Sequence, residues 1–339
     1  MQNHASTLAA EFKLDAARVA ATVALIDEGN TIPFIARYRK EATGSMDDQT
    51  LRALDERLSY LRKLDDQKET VHNSITEQGA MTPEIAAALE KAKTLAEVED
   101  IYRPYKPKRK TRASIARARG LEPLAARLLE QRPEDEPALL ARQYITEEVP
   151  DTEAALAGAR DILAEGFSDS ANLRATLRSL YNATALVESK AAKKDTDSVY
   201  SGYYDYSEPA AKMAGHRILA VDRGEREGFL KVSVTVDAAR AVRLLTERTV
   251  KNDSPSAEQV RAAAEDAYVR LIHPSLEREV RAGLTERACE GAISVFSKNL
   301  RQLLLQPPIK GKVALGLDPG YRMGCKTAVV DATGKVLDT

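Results

Sequence analysis

The chain has no tryptophan, only two cysteines, and aromatic residues make up just 5% of its 339 positions. Cys289 and Cys325 are too few for a disulfide framework and stand in no metal-ligand spacing, which reads as a reducing compartment. Glycine (17) and proline (14) together fall below the roughly 12% of an average chain. With turn-formers and aromatics scarce and alanine plentiful, helix is favoured over sheet. No apolar run approaches the roughly 18–20 residues that cross a bilayer, so no membrane partner is expected. A mean hydropathy of −0.38 with 43% hydrophobic and 30% charged residues excludes a disordered chain. Neither sign of charge dominates: 50 Lys and Arg face 51 Asp and Glu, for a net −1. A globally basic nucleic-acid coat protein is excluded, and an anionic partner must be met by a local patch. Glu11, Lys13 and Asp15 stand where a signal peptide would need an apolar core, so the chain reads as cytoplasmic.

What is present is helical periodicity. Leu8, Phe12, Val19, Val23 and Ile26 recur at helical spacing before Gly29, as one helix or a pair. After the break at Thr31-Ile32-Pro33, a short helical piece runs from Phe34 to Lys40 with Arg37, Arg39 and Lys40 exposed. Asp47 is the predicted cap of a helix reaching about Gln78, where Leu51, Leu54, Leu58 and Leu61 step by 3, 4 and 3 and Gly79 closes it. Thr82-Pro83 starts another helix, and Thr94-Leu95-Ala96-Glu97 is a capping box for one more. Helices are expected at about 151–165 and 168–191, then a tyrosine-rich connector from Lys193 to Pro209. Helix resumes at about 209–223, followed by an alternating strand from Phe229 to Val236. Further helices are expected at about 256–282 and 284–306, the second with a core stripe of Leu284, Ala288, Ala292, Phe296, Leu300 and Leu303.

The last segment changes class. Val313–Leu317 reads as a buried strand, Lys326–Asp331 as a second and Lys335–Leu337 as the start of a third. Three short strands do not make a stable sheet alone, so the sequence is expected to be the N-terminal part of a longer protein.

The strongest chemical feature is the stretch from Arg103 to Arg119, with eight Lys or Arg and no Asp or Glu. Arg103, Lys106, Lys108, Arg109, Lys110 and Arg112 lead it, with Arg117 and Arg119 behind and Tyr102 and Tyr105 interleaved. Cations neutralise phosphates and release counterions, and tyrosine rings stack on unpaired bases. The bland alternative is a solvated connector whose arginines pair with acidic helices. Arg37, Arg39 and Lys40 form a smaller candidate patch, against a plain solvated helix face. Tyr200, Tyr203, Tyr204 and Tyr206 are expected to pack on neighbouring helices more than to stack on bases. His4, His72, His216 and His273 are scattered, which argues against a metal site or a histidine base. Cys289 lies on the helix stripe and reads as buried packing; Cys325, beside a strand start, has no activating histidine in sequence. No phosphate loop or dinucleotide fingerprint is present, and no cofactor is expected. Asp318, closing the first late strand before Pro319-Gly320, is the one candidate for metal catalysis. Two-metal chemistry needs further converging carboxylates, so neither a catalytic residue nor a metal ligand is assigned.

Three motifs carry a resemblance. Ile32-Pro33-Phe34-Ile35-Ala36-Arg37-Tyr38-Arg39-Lys40-Glu41-Ala42-Thr43-Gly44 resembles the N-terminal signature of the bacterial Tex proteins, the transcription accessory proteins. Tyr105-Lys106-Pro107-Lys108-Arg109-Lys110-Thr111-Arg112, with Gly120-Leu121-Glu122-Pro123-Leu124-Ala125, is similar to a second Tex motif. Leu317-Asp318-Pro319-Gly320, Arg322, Gly324, Lys326 and Ala328-Val329-Val330-Asp331 resemble the start of the YqgF, RNase H-like, module, with Met323 where threonine is expected. The resemblance implies a protein more than twice this length, with a complete YqgF module, helix-hairpin-helix modules and a C-terminal RNA-binding OB barrel. It implies a nucleic-acid-binding factor in gene expression, similar to the core of a eukaryotic transcription elongation factor, whose YqgF module lacks a full catalytic set. The main nucleic-acid modules would then lie beyond Thr339, and binding by this chain would be weak.

The expected fold is mainly α. Residues 1–195 form a multi-helical N-terminal scaffold with helix-turn-helix elements. Residues 196–311 form a second helical subdomain with a short strand pair. Residues 312–339 form an incomplete α/β, RNase H-like, start. The leading functional reading is a non-catalytic, nucleic-acid-binding scaffold, with RNA and DNA both open as ligands. The alternatives are an RNase H-like nuclease or resolvase at full length, and a helical scaffold docking RNA polymerase or the ribosome.

Overall fold

The computed structural model describes residues 4–107, 110–193, 198–307, 311–320 and 324–339. Lys108 and Arg109 of the basic stretch, and Arg322 and Met323 of the third motif, lie outside the described residues. In chain order the elements are α1 (Ala5–Phe12), α2 (Ala16–Asp27), α3 (Ile32–Tyr38), α4 (Lys40–Thr43), α5 (Asp48–Glu77) and α6 (Pro83–Lys91). Next come α7 (Leu95–Tyr102), α8 (Arg112–Ala118), α9 (Glu122–Glu130), α10 (Pro137–Arg142), α11 (Thr152–Asp169) and α12 (Ala171–Thr184). Then follow β1 (Leu186–Ala191), β2 (Asp205–Pro209), α13 (Gly215–Arg226), β3 (Leu230–Thr235), α14 (Ala238–Thr249) and α15 (Pro255–Asp266). A π-helical turn over Ala267–Ile272 leads into α16 (His273–Leu304), and β4 (Ala314–Asp318), β5 (Lys326–Val330) and β6 (Val336–Asp338) close the chain. The chain divides into two compact units, one of Met1–Tyr181 with Asp237–Leu276, the other of Asn182–Val236 with Glu277–Thr339.

In the first unit α5 is the spine. Its 30 residues make a rod of roughly 45 Å, and the whole leucine seam is buried. Leu54, Leu58 and Leu61 pack with Leu8 of α1 and Val19 of α2, and Leu51 packs with Ile32 and Ile35 of α3. Leu64, Val71 and Ile75 pack with Leu89 of α6 and Val98 of α7. The rod starts where Asp47 accepts the Thr50 N–H at 2.7 Å and stops before Gly79, whose φ of +69° is the left-handed turn that glycine permits. Farther on, α11 lies against α8, α9, α10 and α15. Gly158 makes this possible, because a Cβ there would stand 2.3 Å from Cδ1 of the buried Leu121. Gln131, fully buried after α9, donates to the Thr249 carbonyl at 2.8 Å and accepts from the Lys251 N–H at 2.9 Å.

In the second unit β1 is central in an antiparallel sheet of order β2-β1-β3, with Val187 opposite both Glu208 and Val234. α13 packs on β3. Arg281 of α16 clamps α13 through Asp222 at 2.9 Å and Glu225 at 2.6 Å. A separate antiparallel sheet has the order β4-β5-β6.

Four sequence expectations are corrected. The helix expected over 168–191 ends at Thr184, and 186–191 is strand β1, with Val187 and Ser189 turned inward and Glu188 and Lys190 less buried. The expected connector contains strand β2, so the short strand pair becomes a three-stranded sheet. The core stripe of α16 is buried only at Leu284 and Ala288; Phe296 is 67% and Leu303 60% exposed, because no described residue packs over that end. The strand expected to be buried is β4, and it is exposed throughout.

Candidate nucleic-acid interface

The Ile32–Gly44 motif is built as two short helices, α3 and α4, that meet at Arg39. Pro33 sits in the first turn of α3, where its missing N–H costs nothing. Ile32 and Ile35 face Leu51, which leaves Arg37 and Tyr38 outside. The backbone breaks at Arg39, and Thr43, fully buried, hydrogen-bonds back to the Arg39 carbonyl at 3.2 Å. Gly44, at φ +68°, lets the Arg18 side chain cross, since a Cβ there would lie 2.3 Å from the Arg18 guanidinium. The outcome is a surface of cations with aromatic rings. Tyr38 is 64% exposed, its ring 5.2 Å from that of Phe34, and the Arg39 guanidinium sits 5.2 Å over Phe34. Arg37, Arg39 and Lys40 are all exposed, and no carboxylate among the described residues pairs with them.

The longer basic stretch is largely engaged within the protein. Arg103 ends α7 with its Nε buried and without a partner. Tyr105 is half-buried against the Leu64–Val71 cluster, and the Tyr102 hydroxyl meets Ser74 Oγ at 3.0 Å. Lys106 pairs with Glu99 at 2.8 Å. Thr111 caps α8 by accepting the Ser114 N–H at 3.0 Å, and donates its own hydroxyl to Glu165 at 3.0 Å. Arg117 pairs with that same Glu165 at 2.6 Å, and Arg119 approaches Glu148 at 3.5 Å. Lys110 and Arg112 remain exposed. Arg112 also contributes to the field that draws down the carboxyl of Asp161, a smaller effect than the burial that pushes it up.

Sequence reading missed a buried charge network in the same unit. Asp100 accepts from Arg174 Nε and from Arg178 Nη2, each at 2.7 Å, and Arg174 Nη2 donates to Ser275 at 3.0 Å. Arg174 is 1% exposed, and burial, then the nearby Arg103 charge, hold its guanidinium below the usual range. The available signal is an arginine one residue past Leu173 in the apolar stripe of α12. Its partner lies 74 positions away, out of reach of local patterns.

The tyrosines of the second unit are occupied. Tyr200 is buried against Phe229, with its hydroxyl donating to Glu227 at 2.7 Å, and Tyr203 meets Tyr206 edge-on at 5.1 Å. Cys289 is half-buried and Cys325 exposed. Asp318 is exposed at the end of β4 beside Cys325 and Lys326. Asp331 accepts from the Thr333 N–H and hydroxyl and from the Lys335 N–H, which holds its carboxyl below the usual range and commits it to the turn. Among the described residues no group of three or more His, Cys, Asp and Glu is placed to hold a metal, and no helix is long and apolar enough to cross a membrane.

Three family models match the chain: the Tex-like protein N-terminal domain over residues 2–76, the Tex central region over 132–296, and the Tex protein YqgF-like domain over 312–339. The chain is 46% identical over 336 residues to uncharacterized protein YdcI of Bacillus subtilis, covering 97% of this chain and 47% of that protein. It is 43% identical over 348 residues to the transcriptional accessory protein Tex of Neisseria gonorrhoeae, covering 98% and 45%. It is 32% identical over 340 residues to the S1 RNA-binding domain-containing protein 1 of Homo sapiens, covering 94% and 33%. The chain thus spans less than half the length of these relatives. With all three domain models in the order the motifs predict, and this identity running along nearly the whole chain, the protein belongs to the Tex family.

Proposed function

We propose that this chain is a cytoplasmic, non-catalytic helical scaffold of a nucleic-acid-binding transcription accessory factor, and that it meets the polyanion through the α3–α4 patch. The observation that carries this reading is the surface of Arg37, Arg39 and Lys40 beside the open ring of Tyr38, with no carboxylate of the described residues drawn against it. Unpaired cations release counterions on meeting phosphates, and an exposed ring stacks on any base. Lys110 and Arg112 extend the candidate contacts, whereas Lys106, Arg117 and Arg119 already have internal partners. Two relatives support the class of partner by name, one a transcriptional accessory protein and one an S1 RNA-binding domain protein. The engagement of Asp331 in its own turn supports a binding role over a catalytic one at the β4–β5 sheet.

The test is fluorescence anisotropy with labelled single-stranded RNA and duplex DNA over a salt series. Three cations on single-stranded phosphates give a slope of log K against log salt near about −2. The Arg37→Glu, Arg39→Glu, Lys40→Glu variant is expected to weaken binding at least about tenfold and flatten that slope. Undiminished binding by the variant removes the patch as the site.

A further inference from the structure

A second surface, of opposite sign, lies on α2, α5 and α6. On α2, Ala20, Val23, Ala24 and Asp27 share one face. On α5, Leu58, Arg62, Asp65, Glu69 and His72 recur at steps of 4, 3, 4 and 3, and α6 contributes Ala86, Leu89 and Glu90. Together they bound an open trough of about 1070 Å³. Its floor is apolar and low: Ala20, Ala24 and Ala86 end at their methyl groups, and Leu58 and Leu89 are already buried beneath.

The walls are acidic. Arg62 is spent on Asp27 at 2.6 Å, Lys68 donates to the Glu90 carbonyl at 3.0 Å, and His4 lies 3.0 Å from Asp65. Asp66, Glu69 and Glu90 remain exposed, with no cationic partner among the described residues. Phosphates are repelled by such a rim. A small molecule finds few convergent polar groups in so open a space. A 4-3-4-3 recurrence, by contrast, is the spacing into which a further helix packs, and an alanine floor leaves depth for large aliphatic side chains.

We propose that this trough docks an amphipathic, positively charged helix of a protein partner. Leucine-sized side chains fill the floor over Ala20, Ala24 and Ala86, and Lys or Arg side chains on its flanks meet Asp66, Glu69 and Glu90. The surface is separate from the α3–α4 patch, so this proposal and the nucleic-acid reading fail independently.

The probe is a fluorescein-labelled synthetic helix with leucines at i, i+3, i+4 and i+7 and lysines on the flanks, titrated with the whole chain at physiological salt. A second probe has the same composition in scrambled order. The ordered probe is expected to bind at least about tenfold more tightly than the scrambled one, because both carry the same charge and only one presents an apolar stripe. The Asp66→Lys, Glu69→Lys, Glu90→Lys variant changes exposed side chains only. It is expected to bind the ordered probe at least about tenfold more weakly, with its circular dichroism unchanged. Equal binding of the two probes, or undiminished binding by the variant, overturns the proposal. So does sedimentation showing a dimer that this variant dissolves, since the occupant would then be a second copy of the chain.

Discussion

Asp100 shows what a single residue decides here. Its carboxylate, 4% exposed, is shared by Arg174 and Arg178, and Arg103 lies close enough to depress the Arg174 guanidinium. A buried ion pair contributes little beyond what its own desolvation costs, but removing one partner leaves uncompensated charge in a low dielectric. Asp100→Asn keeps the shape and removes the charge. It is expected to cost about 3–5 kcal/mol of unfolding free energy by urea denaturation. Arg174→Met, which removes the buried cation itself, is expected to cost less than the Asn variant. The reverse order means that Arg174 is held by packing rather than by Asp100. The network also ties the basic stretch to the core, since Arg103 ends the helix that carries Asp100.

At the scale of elements, the parts legible in the sequence were those set by local chemistry. Asp47, Thr82 and Thr94 cap helices because each side-chain oxygen reaches a backbone N–H three residues on, a relation visible in any short window. The leucine seam of α5 was legible because one helix face meets several partners along a single straight rod. Strand β1 was not, because its apolar alternation covers only six residues and follows a helix after a single residue. The exposed half of α16 was misread because periodicity reports an apolar face and not what covers it. For Lys106, Arg117 and Arg119 the sequence left phosphate contact and internal pairing both open, because Glu165 and Glu148 belong to later segments, and even Glu99 reaches Lys106 only across the turn after α7. The cap of α7 offers the cleanest check. Thr94 accepts the Glu97 N–H at 3.2 Å, while Glu97 accepts from the Thr94 N–H at 3.3 Å and the Lys93 N–H at 2.6 Å. Thr94→Ala is expected to cost about 1 kcal/mol in denaturant melts, with Thr94→Ser recovering most of it.

At the scale of the whole molecule, a net charge of −1 leaves no long-range field to steer a partner, so recognition falls to local surfaces. The distribution of burial sets a matching gradient in local stability. In the first unit α11 buries Ala155, Ala159, Leu163 and Ala164 within a ring of other helices. In the second, Ile293, Phe296, Leu303 and Leu304 of α16 and Leu315 and Leu317 of β4 stand open. Amides open with a free energy that follows the apolar contact around them. Hydrogen exchange should therefore be slowest in α5 and α11, and fast from about Ile293 through β4. Its sign is fixed by geometry: an isolated stretch of helix loses only its own backbone bonds on opening, and such stretches are marginal in water. If the Ile293–Leu304 amides are as protected as those of α11, some other body covers that apolar face in solution. Protection that falls on dilution would then identify the body as a second copy of the chain.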